Sequence, residues 1–523
     1  MKKRMFILMA GVLGITTVFT SCNNVKANKE VDNSIVFGTS QTCYSLDPTA
    51  SYDSWYALRY GVGQTLTKFD DQLSTKPWLI TDDYSMDSDN LTWHFVIRDD
   101  VTFSNGNKLT AEGVKTSIER VFKESDRASS FFALDSIHAD GQKLTIKTKT
   151  PCANMLGMLA DPLFVIIDTS VDNSEIADKG PICTGPFVFK SFDVTSYECV
   201  VEKNENYWGE KAKLDKVIFK MFDDATTQSY ALQNGEVDAA YNVGMTEIDT
   251  YRNNKDYTVS ECAGGRTDYG FMNQNGVLKD KSLREAILRS LDKKSYCESL
   301  LNNAFVPGLA PLSSASVYSE GITDPYTYNI EEAVKLLNEA GYKDVDGDGY
   351  RDDLDGKPME LTYVTYSTRP ELKNLAEAFQ NTLDKNLNIK VKLNITDSDT
   401  CYKLLEAGDY DVWAFNNNSL STGDPENFFS GYLTNRTKEN QNYNTFGYNS
   451  KEFNSLITEL SSTFDTDKRL EIIKNAEQVL VNDATAIYYC DPVMNIVSKS
   501  SVTGFESTPA DYYWLTETID KAN

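Results

Sequence analysis

One stretch, residues 184–241, constrains the fold of this chain more than any other. Its first part, residues 184–220, contains apolar and β-branched runs separated by polar turns, which predicts a small antiparallel meander with a hairpin at residues 204–208. Its second part, YALQNGEVDAAY at residues 230–241, predicts a short helix that ends at Gly235 and then a buried strand. Strands and helix therefore alternate within one segment, which indicates a mixed α/β core.

Other segments predict single elements. Strict alternation of apolar residues at 91–98 predicts a half-buried strand, and Thr110 is expected to cap a following helix with an apolar stripe. Asn329, with Glu332 three residues later, is expected to start another helix that ends at Gly341. Residues 365–395 predict a strand, an amphipathic helix and a second strand, and residues 486–489 predict a short strand.

The motifs of this stretch resemble family 5 of the solute-binding proteins of ABC importers, which take up peptides, nickel and related solutes. A TGPF strand start at residue 184, an NENYWG hairpin, a KLDKV strand and an LQNGEVD helix-to-strand unit occur in the order of that family. Further matches extend from residue 35 to residue 491, the longest of them at residues 91–122. The resemblance implies an α/β, periplasmic-binding-protein-like fold of class II, with two lobes, an inserted subdomain and a hinged ligand cleft.

The resemblance also implies how the chain is divided. We expect a discontinuous lobe I, a subdomain inserted into it and a continuous lobe II. The predicted segments are 34–51, 175–266 and 485–523 for lobe I, 52–174 for the inserted subdomain and 267–484 for lobe II.

The N-terminal residues 1–21 predict an export signal. Three basic residues at positions 2–4 precede an apolar run, residues 5–19, that is too short for a confident membrane span. The small residues before Cys22 resemble a lipoprotein cleavage site, where Cys22 becomes the lipidated N-terminus, and an ordinary signal peptide is the alternative. Polar residues 22–33 are predicted to form a tether, which places the protein on the outer face of the cell membrane or in the periplasm.

Charge and motif content exclude several functions. The net charge of −26 disfavours nucleic acid and anionic lipid as partners and favours cationic or zwitterionic ligands. The sequence contains no GxSxG, HExxH, GxxxxGK[ST] or GxGxxG pattern. The chain is therefore predicted not to be an enzyme, and ATP hydrolysis is expected on partner subunits.

The resemblance implies a monomeric receptor that closes on a small ligand and delivers it to an ABC permease and its ATPase subunits. A short peptide is the leading ligand, a nickel or other metal–chelator complex is the alternative, and a surface adhesion or signalling receptor is a third hypothesis. In peptide-binding relatives, an Asp three residues before a D/E-P dipeptide binds the peptide's α-amine. Aligned on Asp424-Pro425, that position is Ser421 here, which weakens the peptide hypothesis.

Candidate ligand-binding residues fall into an aromatic, a basic and a polar group. Arg369 is the best carboxylate partner, although a surface role is equally compatible with its position before a helix. A polar run after a buried strand is predicted to line the cleft, and Asp424 either replaces the missing acid or caps a helix. Tyr269 and Asn273 share one face of a predicted strand that could face the cleft. The full set is Tyr44, Tyr52, Trp55, Tyr269, Asn273, Arg369, Trp413, Phe415, Asn416, Asn417, Asn418, Ser419, Ser421 and Asp424.

An acidic loop at residues 343–356 imitates a calcium-binding loop. Its carboxylates alternate before Gly349, with further acids near positions nine and twelve of such a loop. The candidate ligands are Asp344, Asp346, Asp348, Asp352 and Asp355. A structural Ca²⁺ is one hypothesis and an ordinary acidic turn is the other; no further cofactor is predicted.

Neither the cysteines nor the histidines predict a metal site. The eight cysteines after Cys22 are scattered without a CxxC pair, so free thiols are expected, although Cys183 and Cys199 could meet. His94 and His138 are far apart in sequence and are expected to be structural or surface residues.

Overall fold

A computed structural model describes residues 33–433 and 446–522, without the side chains of residues 432 and 433. The predicted signal segment, Cys22 and nearly all of the predicted tether lie outside the described residues. In the part that is described, no helix is both long enough and apolar enough to cross a membrane.

The strands are short except for one near the C-terminus. They are β1 (Ser34–Thr39), β2 (Thr67–Phe69), β3 (Thr75–Pro77), β4 (Ile80–Met86), β5 (Thr92–Ile97), β6 (Leu134–Asp140), β7 (Lys143–Thr148), β8 (Phe187–Asp193), β9 (Glu198–Lys203), β10 (Lys216–Met221), β11 (Ala239–Tyr241), β12 (Tyr257–Ala263), β13 (Arg266–Met272), β14 (Phe305–Pro307), β15 (Glu360–Tyr366), β16 (Lys390–Thr396), β17 (Val412–Asn418), β18 (Ala486–Lys499), β19 (Val502–Thr503) and β20 (Asp520–Lys521).

The α-helices mostly follow or connect these strands. They are α1 (Ser54–Arg59), α2 (Ala111–Glu124), α3 (Met155–Met158), α4 (Ile176–Lys179), α5 (Ala225–Gln233), α6 (Asp249–Arg252), α7 (Lys281–Ser290), α8 (Lys293–Ser295), α9 (Ile330–Ala340), α10 (Pro370–Thr382), α11 (Ser398–Ala407), α12 (Glu426–Phe428), α13 (Lys451–Leu460) and α14 (Thr466–Asn482).

Twelve strands form one mixed sheet in the order β16-β15-β17-β13-β18-β11-β1-β10-β9-β8, with β12 and β14 also paired to β18. We call β1 and β8 to β12 the first half of this sheet, and β13 to β17 the second half. Each half contains a parallel trio, β10-β1-β11 in the first and β16-β15-β17 in the second. The predicted strand–helix–strand unit at residues 365–395 is confirmed as β15, α10 and β16.

Strand β18 belongs to both halves. Its N-terminal part pairs with β13 and β14, and its C-terminal part pairs with β11 and β12. The sequence predicted only a short strand at residues 486–489. The observed strand runs on for fourteen residues because it has a partner along its whole length and is buried over most of it.

The meander predicted at residues 184–220 is confirmed. Strands β8, β9 and β10 pair antiparallel in sequence order, and the TGPF segment leads directly into β8. Helix α5 ends before Gly235, which adopts a positive φ of 80°, and strand β11 follows. Glycine at this position permits the left-handed turn that stops the helix.

A separate apolar core fills the region after β1. Alternating residues of β5 pack against the apolar stripe of α2, as the sequence predicts. The buried members of this core all lie between Leu66 and Ile166. This core lies inside the segment predicted as the inserted subdomain, whose exact boundaries stay a prediction.

The predicted helix caps are confirmed as well. Thr110 accepts a hydrogen bond from the Gly113 N–H at the start of α2, and Asn329 accepts one from the Glu332 N–H at the start of α9. Gly341 ends α9 in the left-handed conformation. Local polar residues therefore set these helix ends independently of the tertiary fold.

Candidate functional site

A cleft of about 460 Å³ opens where β18 passes from one half of the sheet to the other. Residues 492–495 of β18 form part of its wall. The first half contributes residues that follow β1 and β11, and the second half contributes the start of β13 and the start of α10. The polar and aromatic lining includes Ser40, Gln41, Trp55, Arg59, Tyr241, Asn242, Arg266, Phe305, Arg369, Glu371, Asn495 and Asp511.

Two arginines of the second half face this cleft with little neutralising charge. Arg369 forms one ion pair, from Nη1 to Glu371 Oε1 at 3.3 Å, and its side chain is 42% exposed. Arg266 has no ion pair among the described residues, and its Nη1 donates a hydrogen bond to Asn416 Oδ1 at 3.4 Å. Burial, followed by the repulsion of Arg369, lowers the pKa of Arg266. Both guanidinium groups therefore lie at the wall of one cleft, near enough for their charges to repel each other.

A third cleft arginine, Arg59, is neutralised internally. Its Nη2 lies 2.6 Å from Asp511 Oδ2, and Nη1 donates a hydrogen bond to Gln41 Oε1 at 3.0 Å. Its guanidinium carbon also lies 4.4 Å from the centre of the Trp514 ring. Only 1% of the side chain is exposed. Arg59 therefore holds the C-terminal segment against α1 and leaves no free charge for a ligand.

Asp268 of β13 lies behind Arg266 and Arg369. This residue is fully buried, and its Oδ1 accepts a hydrogen bond from Asn416 Nδ2 at 2.8 Å. Burial, next to the Glu371 carboxylate, raises the pKa of Asp268 to about 7. A buried carboxyl group that can change its charge near neutral pH therefore lies close to the charged residues of the cleft wall.

Of the residues that the sequence indicated, only Trp55 and Arg369 line this cleft. Tyr44 is 69% exposed and packs edge-on against Tyr197. Tyr52 is also exposed and covers Trp55 and Arg127.

Tyr269, Trp413 and Phe415 form a buried aromatic cluster and do not line the cleft. The expectation that the face of Tyr269 and Asn273 looks into the cleft is wrong, because that face of β13 packs into the core. The opposite face, with Arg266 and Asp268, lies toward the cleft. Asn273 is buried and donates a hydrogen bond to the Tyr410 carbonyl.

The polar run after β17 lies at a second cavity of about 190 Å³. Its lining residues are Asn417, Asn418, Ser419, Ser421, Thr422, Asp424, Asn427 and Phe428. Asn416 stands apart, since it connects Arg266 with Asp268. The run therefore does not line the cleft with the arginines but, apart from Asn416, a smaller cavity, and its contact with a ligand stays a prediction.

Asp424 is engaged inside the protein. Its Oδ2 lies 2.7 Å from Arg469 Nη2, and both side chains are less than a tenth exposed. Its Oδ1 accepts a hydrogen bond from the Glu426 N–H at the start of α12. The same arginine also pairs with Glu426 at 2.9 Å. The helix-capping role is therefore observed, and Asp424 does not offer a free charge to a ligand amine in the place of Ser421.

The acidic loop brings three of its five predicted ligands together. Oxygens of Asp344, Asp346 and Asp348 lie within 4.8 Å of one another. Asp352 is buried instead and accepts a hydrogen bond from the Val345 N–H, while Asp355 is exposed beside Lys357. Asp348 also pairs with Lys390 at 2.6 Å. Calcium binding by this loop stays a prediction.

The eight described cysteines, Cys183 and Cys199 among them, are free thiols in this structure. His94 pairs with Asp87 at 3.1 Å across the β4–β5 ladder, which is an ordinary surface contact.

Sequence reasoning missed Arg266, Glu371, Asp268, Arg59 and Asp511. Arg266 directly precedes the alternating strand that was singled out, so its place at the strand start was the available signal. Asp511 had none, because its partner Arg59 is 452 positions away. Arg266 and Asp268 meet their partners Asn416 and Cys490 only through the pairing of β13 with β17 and β18.

Comparison with known proteins agrees with this architecture. The family of bacterial extracellular solute-binding proteins, family 5 Middle, matches residues 74–440. The nickel-binding protein NikA of Staphylococcus aureus is 26% identical over 515 residues, which cover 98% of each chain. The oligopeptide-binding protein AppA of Bacillus subtilis is 27% identical over 466 residues, covering 85% of this chain and 83% of AppA. The crystal structure of NikA from Staphylococcus aureus with Ni(L-His)2 has 25% sequence identity and a TM-score of 0.72, over 94% of this chain and 100% of that chain.

Proposed function

This chain belongs to family 5 of the bacterial extracellular solute-binding proteins, and from this premise we propose that it binds a small, carboxylate-bearing solute in the cleft between its halves and delivers it to an ABC importer. A metal–chelator complex whose chelator carries carboxylates is the first candidate. The observation that carries this proposal is that Arg266 and Arg369 line the same cleft. The one ion pair that either of them forms among the described residues is that of Arg369 with Glu371.

The start of α10 supports an anionic ligand group. Arg369 precedes this helix, and no side chain caps its first turn. Residues 369–371 line the cleft, so the positive end of the helix dipole lies at the same wall as the two guanidinium groups. A carboxylate placed here gains a charged hydrogen bond and the field of the helix, both of which favour negative charge.

A short peptide is the second candidate. Relatives that bear peptide names include AppA, and the C-terminal carboxylate of a peptide fits the arginine pair. The amine end is the difficulty, because Ser421 carries no charge and the neighbouring Asp424 pairs with Arg469. A metal chelate needs no such amine partner, which is why we place it first. The relative crystallised with Ni(L-His)2 supports this order.

We propose that capture works by closure about the crossing strands. The connection between β12 and β13 passes through Gly264 and Gly265 beside the middle of β18, where the Gly264 N–H donates a hydrogen bond to the Pro492 carbonyl at 3.0 Å. A Cβ at Gly264 would collide with Met494, so glycine permits the close approach. A ligand held by residues of both halves stabilises the closed state in proportion to its contacts with each half.

We further propose that Cys22 is the lipidated N-terminus of the mature protein, which is otherwise extracytoplasmic. Intact-mass analysis of the membrane-bound protein tests this, since a mature chain that begins elsewhere or carries no acyl group contradicts it.

Calorimetry tests the ligand. We expect saturable binding of the Ni(L-His)2 chelate, weakened about 10- to 100-fold by Arg266→Gln or Arg369→Gln, because a hydrogen bond to a charged group is worth about 1.5–3 kcal/mol. Arg98→Gln is the matched control, because Arg98 pairs with Asp100 away from the cleft. Tight binding of mixed di- to pentapeptides, with no binding of the chelate, would show that the ligand is a peptide and not a metal chelate. Unchanged chelate affinity in both arginine variants contradicts the proposed site.

A further inference from the structure

The carboxyl group of Asp268 is buried without a counterion. It lies on the same face of β13 as Arg266, yet no cation of the described chain approaches it within 4 Å. Its Oδ1 accepts a hydrogen bond from Asn416 Nδ2 at 2.8 Å, and the donor next to its Oδ2 is the Cys490 thiol at 3.5 Å. A buried carboxylate needs more partners than these to keep its charge.

The groups around Asp268 come from every element that packs on it, and they connect it to the cleft. The Asn416 amide is the most direct link, because its oxygen accepts a hydrogen bond from Arg266 while its nitrogen donates one to Asp268. Glu371 adds a negative charge and Arg369 a positive one. The charged and titratable neighbours are Arg266 on β13, Tyr363 on β15, Cys490 on β18, and Arg369 and Glu371 at the start of α10.

We propose that Asp268 holds a proton whenever the carboxylate of a solute occupies the cleft, so that binding takes up a proton from solvent wherever the ligand-free protein has lost it, and the affinity depends on pH. This inference rests on the proposed function. The proton adds to Oδ1 or Oδ2 of the carboxylate, and no other bond changes.

The sign follows from the charges at the cleft wall. With Asp268 protonated, Arg266, Arg369 and Glu371 leave one net positive charge; with Asp268 ionised, the four groups sum to zero. A ligand carboxylate placed at the two arginines is bound better by the first state, so the affinity of a carboxylate-bearing ligand falls as pH rises. For a group that titrates at about 7, the protonated fraction, and with it the apparent affinity, drops roughly tenfold between pH 6 and pH 8.

Infrared spectroscopy of the ligand-free protein tests the proton. The difference spectrum between wild type and Asp268→Asn should contain a protonated-carboxyl band at pH 6 that disappears by pH 9. A difference spectrum that contains only ionised carboxylate at pH 6 overturns the proposal. Asp161→Asn is the control, because Asp161 is also buried, its pKa is raised by burial to about 6, and neither Arg369 nor Glu371 is among the charges that shift it.

The same band tests the coupling to the cleft without any ligand. Arg369→Gln removes a positive charge and should shift the titration of Asp268 to higher pH, whereas Glu371→Gln removes a negative charge and should shift it to lower pH. The band of Asp161 should stay in place in both variants. If the Asp268 band responds to neither substitution, the cleft charge and the proton are uncoupled and the proposal fails.

Calorimetry with Ni(L-His)2 in excess histidine completes the test. Wild type and Asp268→Asn are compared at the same pH, so any change of the chelate itself with pH affects both proteins equally. Asparagine imitates the protonated acid, so Asp268→Asn and wild type should bind equally at pH 6, and the variant should bind about tenfold tighter at pH 8. An affinity ratio that does not change with pH contradicts the proposal. Absence of binding to both proteins contradicts the chelate function alone, and the infrared titrations then decide the proton and its coupling.

Discussion

Two cavities, the cleft with Arg266 and Arg369 and the smaller one beside Asp424, differ in how their charged groups are paired. In the small cavity, Asp424 and Glu426 share Arg469, whose remaining donors reach the carbonyls of Leu460 and Thr463. In the large cleft, Arg369 has one ion pair, with Glu371, and Arg266 has none among the described residues. A charge that is satisfied within the chain supports the fold, whereas a charge that the chain leaves open is available to a ligand.

The largest expected effect comes from removing the ion pairs of Arg469 with Asp424 and Glu426. Arg469→Met leaves the buried carboxylate of Asp424 and the partly buried one of Glu426 without their cation, and it should lower the free energy of unfolding by about 3–5 kcal/mol. Urea unfolding measures this change. Lys123→Met is the control and should alter stability by less than about 0.5 kcal/mol, because its ion pair with Glu124 is exposed. A loss below about 1 kcal/mol for Arg469→Met would remove the distinction between the cavities.

A pH effect of intermediate size is expected from Glu477, which lies on the same helix as Arg469 but forms no ion pair with any residue that the structure describes. It is fully buried; Oε1 accepts a hydrogen bond from the Leu312 N–H, and Oε2 has no donor within the described part of the chain. Burial raises its pKa to about 8.

Because the folded state then binds the extra proton, stability should fall as pH rises from about 4.5 to about 8, by at most about 1.4 kcal/mol per pH unit. Glu477→Gln should flatten this slope between pH 6 and pH 8. Urea titrations of both proteins across this range measure it, and equal slopes would mean that Glu477 is already ionised at pH 6.

The smallest stability effect is expected at the open site. Arg369→Gln removes a half-exposed charge beside Arg266, so the free energy of unfolding should change by no more than about 0.5 kcal/mol, although ligand affinity falls. Thermal unfolding without ligand measures this. A substantial destabilisation would show that Arg369 supports the fold, as Arg469 does. It would therefore count against a role of Arg369 in ligand binding.

Local patterns predicted much of the fold. Strict alternation identified β5, polar residues located the caps of α2 and α9, and the motif order implied the two-lobed architecture. Alternation showed that Tyr269 and Asn273 share a face of β13. It could not show which face meets the cleft, because that depends on the strands that pair on either side.

The candidate site was less accessible to sequence reasoning because its contacts are long-range. Asp424 pairs with Arg469, which is 45 positions away in the sequence. Because of this pairing, Asp424 has no free charge for a ligand amine, a role that the local sequence alone allowed. Asp268 acquires its environment from α10, β17 and β18 together. Arg369 was predicted because it directly precedes a predicted helix, whereas no sequence pattern marked Arg266.

Strand β18 also constrains the order in which the molecule can be completed. It starts at Ala486 in a chain of 523 residues, yet both halves of the sheet need it. Before β18 is synthesised, the large sheet consists of two unfinished halves with open edges, so neither half can close early as an independent folding unit. A chain that must cross a membrane before it folds is suited by this arrangement, since its last segment joins both halves only after the rest has passed through.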